Sequence, residues 1–256
     1  MNDYYFVEKE GVKSYIPEYT KLFSYPLYLS KRKGYCIRKK RRGATLKKSR
    51  EIREEARKAL KGNWFAAVGL YLITILITIP FGVGSSLTEN GEHYVLSILF
   101  SLGSILLSVI ISTIVSTYFL HVARQQKLGY ADSFSFAFKN FWPFFKLTLL
   151  MGLKILAWTL LFIIPGIIAS LRYSQAIYIK LDQPELSSSR AIRLSSEMMK
   201  GYKWKYFCLA LSFIGWALLV PFTLFIGALW LGTYYNTARA VFYDILNADR
   251  LTKITS

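Results

Sequence analysis

Residues Trp64–Val83 read WFAAVGLYLITILITIPFGV, a run without one charged side chain. At about 1.5 Å per helical residue, a run of about 20 covers the roughly 30 Å hydrocarbon core of a bilayer. A buried strand would be shorter, and a helix on a soluble protein would keep a polar face. A membrane-spanning helix is the expectation from which the rest follows. It begins after residue 63 and has the length of a span rather than of a signal-peptide core, so it is expected to stay as an uncleaved anchor.

Working outward, five more apolar segments follow. They are Tyr94–Leu120, Phe144–Ile164, a shorter return from Pro165-Gly166 to Lys180, Tyr206–Val220, and Phe222–Phe242 beyond Pro221. The connections alternate in charge. Gly84–His93 holds Glu89 and Glu92 but no Lys or Arg, and the Pro165 turn is uncharged. By contrast, Arg124 and Lys127 follow the second segment, Arg190, Arg193, Lys200, Lys203 and Lys205 precede the fifth, and Arg250 and Lys253 follow the sixth. Basic residues near span ends are retained on the cytoplasmic side. The expected fold class is therefore all-α, a polytopic membrane helix bundle with six transmembrane helices and both termini inside, plus amphipathic cytoplasmic or interfacial helices. The expected location is a bacterial cytoplasmic membrane.

Composition agrees: 53% hydrophobic and 16% aromatic residues against 19% charged ones mark a membrane class. The formal charge of +18 is concentrated, with 15 basic and 3 acidic residues between Lys31 and Lys61. Such a polybasic segment is drawn to anionic inner-leaflet lipid by about 1 kcal/mol per basic residue. Membrane lipids are thus the expected partners, anionic ones first, with a membrane protein as a further partner. No nucleic-acid fold accompanies the charge, and nucleic acid is not expected.

The chain divides into an N-terminal extension (1–45), a juxtamembrane amphipathic helix (46–63), the six-span domain (64–246) and a cytoplasmic tail (247–256). In the second of these, Ile52, Ala56, Ala59 and Leu60 form one stripe, and Glu54 precedes Lys58 by one turn. Phe134, Phe138, Phe141, Trp142 and Phe145 give an aromatic helix over Ser133–Phe145, expected in the interface. Ala191, Leu194, Met198 and Tyr202 share a face of a third helix, starting near Pro184 and stopped by Gly201. The first 43 residues show no clear period. One expectation is that translation starts at Leu46, with Arg41-Arg42-Gly43 encoded by a purine-rich ribosome-binding run; codons other than AGG or AGA there would end that idea.

Three groups of residues are candidates for function. Ser97, Ser101, Ser104, Ser108, Ser112 and Ser116 form a small, weakly polar stripe on the second segment. It serves either as a helix-packing seam or as the lining of a polar path. Lys154 and Arg172 sit inside apolar segments, where ionisable groups are functional candidates by default. They either snorkel to the interface or form, with Tyr173, Tyr234 and Tyr235, a cationic cavity for an anion or lipid phosphate. Met198, Met199 and Trp204 are a candidate partner surface.

Catalysis finds little support, and no cofactor or metal is expected. The chain has no HExxH, no GxSxG and no intramembrane carboxylate pair. His93 and His121 lie about 40 Å apart on one helix. Cys36 and Cys208 suggest neither a disulfide nor a metal site. The segments around Trp158–Pro165–Tyr178 and Trp216–Pro221–Phe242 echo one another faintly, as parallel repeats do.

The runs Phe162–Ile168, Tyr173-Ser174-Gln175-Ala176, Ala191-Ile192 through Ser195 to Met199–Trp204, and Leu211–Trp216 resemble the bacterial integral-membrane family catalogued as domain of unknown function 975. The resemblance covers Leu46 to Leu246 and is more distantly similar to the membrane portion of some glycerophosphodiester phosphodiesterases, whose catalytic domain is absent here. It implies a helical membrane protein, found mostly in low-GC Gram-positive bacteria, and brings no catalytic residues. The expected function is a non-catalytic accessory or scaffold for a lipid, envelope or transport assembly. The alternative is a transporter or lipid-handling protein with a cationic intramembrane site.

Overall fold

The computed structural model describes residues 5–9, 12–16, 48–88, 94–126, 129–218, 220–223 and 226–255. The chain divides into two units, Met1–Gly43 and Ala44–Ser256. In the first, β1 (Tyr5–Lys9) and β2 (Val12–Ile16) pair antiparallel from Tyr5↔Ile16 to Lys9↔Val12. The sequence predicts no element there, because these residues lack a clean alternation of polar and apolar positions.

The second unit is all-helical. Helix α1 (Ser49–Leu60) buries Ile52, Ala56, Ala59 and Leu60, the expected stripe. Glu54 pairs with Arg50 at 3.2 Å rather than with Lys58, since both lie one turn away on the same face. Gly62, at φ +87°, makes a left-handed turn that suits glycine. Helix α2 (Trp64–Thr88) starts at once and runs on through Pro80, five residues past the expected end at Val83. Proline there removes one backbone hydrogen bond without ending the helix. Helix α3 (Tyr94–Ala123) returns beside α2, with the Phe81 and Phe100 rings 6.5 Å apart edge to face.

The expected aromatic helix is two elements. Helix α4 (Tyr130–Lys139) ends at Asn140, whose Nδ2 donates to the Phe136 carbonyl, and α5 (Phe141–Leu161) begins immediately after it. The turn out of α5 falls at Phe162, in extended backbone, and not at Pro165-Gly166. Pro165 instead occupies the first turn of α6 (Ile163–Tyr173), where its missing N–H is not needed. Gly166 lets α6 approach α5: a Cβ there would stand 2.2 Å from the Thr159 hydroxyl and 3.0 Å from its Cα.

The fourth segment is a broken helix. Helix α6 stops at Tyr173 and α7 (Ala176–Asp182) continues after Ser174-Gln175. Helix α8 (Ser188–Met198) starts four residues after Pro184, and Gly201, at φ +79°, ends the turn that follows. Helix α9 (Lys203–Ala217) is followed by a short 3₁₀ turn at Pro221–Thr223. Helix α10 runs from Ile226 to Thr255 without a stop, so residues 247–255 of the expected tail continue it.

Among the described residues, three helices are long and apolar enough to cross a membrane: Trp64–Gly84, Val95–Ala123 and Phe141–Leu161. Only 22%, 22% and 11% of these windows is buried, the reverse of a soluble core, so their apolar surface faces outward. The fourth and fifth segments fall short singly, because α6 has 11 residues and α9 has 15. At about 1.5 Å per residue these cover roughly 16 and 22 Å.

Burial is graded along the helices. Val95, Leu99, Leu102 and Ile105 of α3 are exposed, whereas Ile114, Phe119 and Leu120 are buried. Leu160, Phe162, Ile163 and Ile164 at the α5–α6 turn are also exposed. The packed core sits at the other end, where the last turns of α3 meet α1, α7, α8 and the middle of α10.

Candidate functional site

The polar centre of this packed end is Arg124, just past the end of α3. Its Nη1 and Nη2 each donate to an Asp182 oxygen at 2.8 Å, and Nη2 and Nε donate to Asp244 Oδ1 at 2.9 and 3.1 Å. The Tyr243 hydroxyl donates to Asp182 Oδ2 at 2.7 Å, and its ring stacks on Tyr178 at 5.4 Å. Three chain segments far apart in sequence are thereby joined by one guanidinium, whose planar fork can serve two carboxylates at once. Burial works against the charge on Arg124, but hydrogen bonding to Asp182 and the fields of both carboxylates prevail and raise its pKa. Burial pushes the Asp244 carboxyl above its ordinary value in spite of Arg124.

Above this cluster, Arg239 of α10 lies 5.8 Å from the Tyr235 ring centre and 6.0 Å from that of Tyr178. Its Nε is buried without a hydrogen-bond partner among the described residues. Aromatic faces take the place of a carboxylate here. Arg239 lies three residues inside the segment expected to end at Phe242 and was not among the sequence candidates; which rings it meets depends on the packing of α10.

The break between α6 and α7 is bridged from α8. Ser195 Oγ accepts from the Gln175 N–H at 3.2 Å and donates to the Arg172 carbonyl at 2.9 Å. Ser195 and Gln175 are fully buried. Nearby, Lys180 is 4% exposed and donates to the Pro184 and Leu186 carbonyls, closing the α7–α8 loop.

Among the expected anion-site residues, Lys154 and Arg172 lie at nearly one depth. The Thr159–Gly166 contact sets the antiparallel register of α5 and α6, which brings Lys154 level with Leu171. Neither cation has an ion-pair partner among the described residues. The tyrosines are engaged elsewhere. Tyr173 is buried in the main core, and the Tyr234 hydroxyl donates to the Arg53 carbonyl at 3.0 Å. Tyr235 stands against Phe213 and Arg239.

In the serine stripe, Ser116 is buried, Ser97, Ser104 and Ser112 are partly so, and Ser101 and Ser108 are exposed. Ser101, Ser104 and Ser108 turn their hydroxyls onto carbonyls of their own helix. The partner surface requires correction. Met198 and Met199 are 7% and 0% exposed and belong to the core, because α8 turns its apolar face inward; only Trp204 is exposed, at 71%.

His121 Nδ1 lies 2.8 Å from the Thr117 carbonyl, and His93 lies outside the described residues, as does Cys36. Cys208 is a free, partly buried thiol.

No curated protein and no solved structure matches the chain. A family model described as Protein of unknown function (DUF975) matches residues 46–169 and 159–250, and the chain belongs to that family.

Proposed function

We propose that this is a multi-pass protein of a bacterial cytoplasmic membrane that acts without catalysis, as an accessory or scaffold for a lipid, envelope or transport assembly. Its six apolar segments form three hairpins, α2/α3, α5 with α6–α7, and α9/α10, with both chain ends inside. Helices α6 and α7 together supply about the length that α6 lacks. The observation that carries the scaffold reading is the Arg124 cluster. One guanidinium holds Asp182 and Asp244 from two other segments at 2.8 and 2.9 Å, which favours a fixed base over hairpins that rock against one another. Trp204, between Lys203 and Lys205, suits an anchor at the inner interface beside a protein partner.

A photo-crosslinking amino acid at Trp204 tests the scaffold in intact cells. One discrete protein adduct is the expected result, and adducts with lipid alone would overturn it. The alternative, a lipid-handling or transport protein, draws support from Lys154 and Arg172 standing at nearly one depth without an ion-pair partner among the described residues. Native mass spectrometry in the protein's own lipid should then show an anionic lipid or small molecule that the Lys154→Leu, Arg172→Leu variant loses. Equal retention would reject that cationic site.

A further inference from the structure

A cavity of about 810 Å³ opens at the packed end, between the α1–α2 junction and the α3–α4 junction. Lys58, Lys61 and Asn63 line one wall, and Tyr118, His121 and Gln125 the other. No Asp or Glu is among its lining residues; Asp132 nearby accepts the Gly129 N–H at 3.2 Å. Lys58 and Lys61 are exposed and have no ion pair among the described residues. The floor is more enclosed. Tyr118 is 5% exposed, held edge to face by Phe119, and its hydroxyl has no hydrogen-bond partner among the described residues. The Tyr130 hydroxyl is already committed, donating to the Ala66 carbonyl at 2.6 Å, so it braces the walls instead.

Two backbone features shape the opening. Gly62 has φ +87°, and Gln125, at φ +55°, is the left-handed residue that closes α3, its N–H meeting the Val122 carbonyl and that of Gln126 the His121 carbonyl. With Nδ1–H donating to the Thr117 carbonyl, the neutral His121 ring shapes the wall and offers no further donor to an anion.

The cavity also has a definite height. Apolar α2 begins at Trp64 and apolar α3 ends at Ala123, so its walls lie where both leave the hydrocarbon. Headgroup phosphates occupy that level of a bilayer. Two ammonium groups and an unpartnered phenol around a concavity with no carboxylate among its lining residues suit a phosphate group with its negative charge.

We propose that this cavity binds the phosphate of an anionic membrane lipid, at a site separate from Lys154 and Arg172. The proposal rests on the inner-face placement given above, but not on the scaffold role.

The test uses full-length protein in phosphatidylcholine nanodiscs containing a minor fraction of phosphatidylglycerol, with retained lipid read by native mass spectrometry. Wild type should retain phosphatidylglycerol preferentially. Lys58→Gln with Lys61→Gln should lower that preference roughly thirtyfold, each lysine near an anionic surface contributing a factor of about five. Lys139→Gln with Lys200→Gln, an exposed pair away from the cavity, should leave it unchanged. Tyr118→Phe removes only the hydroxyl and should also weaken retention, whereas its neighbour's change Phe119→Leu should not. Equal retention by wild type and the Lys58, Lys61 variant, with both folded by circular dichroism, overturns the site.

Inorganic phosphate added in excess separates the two sources of this chemistry: undiminished lipid retention supports a lipid headgroup, and displacement overturns it in favour of a soluble phosphate. Placement is read independently by labelling Lys61→Cys, in a Cys36→Ser, Cys208→Ser background, with an impermeant maleimide. Labelling from the cytoplasmic face alone, together with equal lipid retention, rejects the cavity and leaves the topology standing; labelling from the outside rejects the topology.

Discussion

Replacing Arg124 with leucine strands two carboxylates at the packed end. Asp182 and Asp244 side chains are 22% and 29% exposed, so part of the penalty is relieved by water. The expected loss is about 2 to 3 kcal/mol, at or below the lower end for breaking a buried pair. Arg124→Lys should recover only part of it, because an ammonium lacks the fork that meets both acids. Thermal unfolding in detergent reads both. Asp244 adds a pH dependence of its own. Its folded pKa is raised, so the folded state binds that proton more tightly than the unfolded chain. The stabilisation from this group is full below the ordinary carboxylate value and is lost as pH rises through the folded one. Asp244→Asn should remove that component, seen as a flatter stability profile on the acid side; an unchanged profile would falsify the assignment. All three residues were visible in the sequence as charges at segment ends, but their meeting was not, since 120 positions separate Arg124 from Asp244.

At the scale of the element, the broken helix α6–α7 and the α5–α6 hairpin are the informative cases. Ser195→Ala removes the acceptor for the Gln175 N–H and the donor to the Arg172 carbonyl in a buried place. An unsatisfied buried group costs about 1 to 3 kcal/mol, so a loss of about 2 kcal/mol is expected, read as a lower melting temperature. Ser195→Thr keeps the hydroxyl and should lie between the two. Gly166→Ala should also lower the melting temperature by forcing α6 away from α5. Adding Thr159→Ala should recover part of that, but not all, because the Thr159 Cα stands 3.0 Å from the new methyl. A full rescue would show that the hydroxyl alone sets the approach. Apolar period and length made α1, α3 and α5 legible beforehand. The break at Ser174-Gln175 was not, because Ser195, twenty residues away, supplies the hydrogen bonds that make it tolerable.

For the whole molecule, the consequence to check is topology. With single cysteines in the background lacking Cys36 and Cys208, impermeant maleimide should label position 61, position 200 and position 253 from the cytoplasmic face. It should label position 89 from the outside. Labelling of positions 61 and 253 from opposite faces would break the even count of crossings. The structure also divides along the helix axes: outward-facing apolar segments at one end, and a packed base at the other that carries Arg124, Arg239 and the cavity lined by Lys58 and Lys61. Met198 and Met199 show what a helical face alone leaves open. Their spacing made an apolar stripe evident, but whether it met a partner or the chain's own core depended on the packing of α8.

The sequence by itself determined that the chain is helical with membrane-length segments, because length and hydropathy act locally, residue by residue, through hydrogen-bond satisfaction within each helix. Tertiary structure alone decided where the helices turn and break, which charges meet and which surfaces remain free. Those outcomes rest on contacts between residues distant along the chain: Gly166 against Thr159 sets one hairpin, Ser195 bridges one break, and Arg124 gathers its two acids.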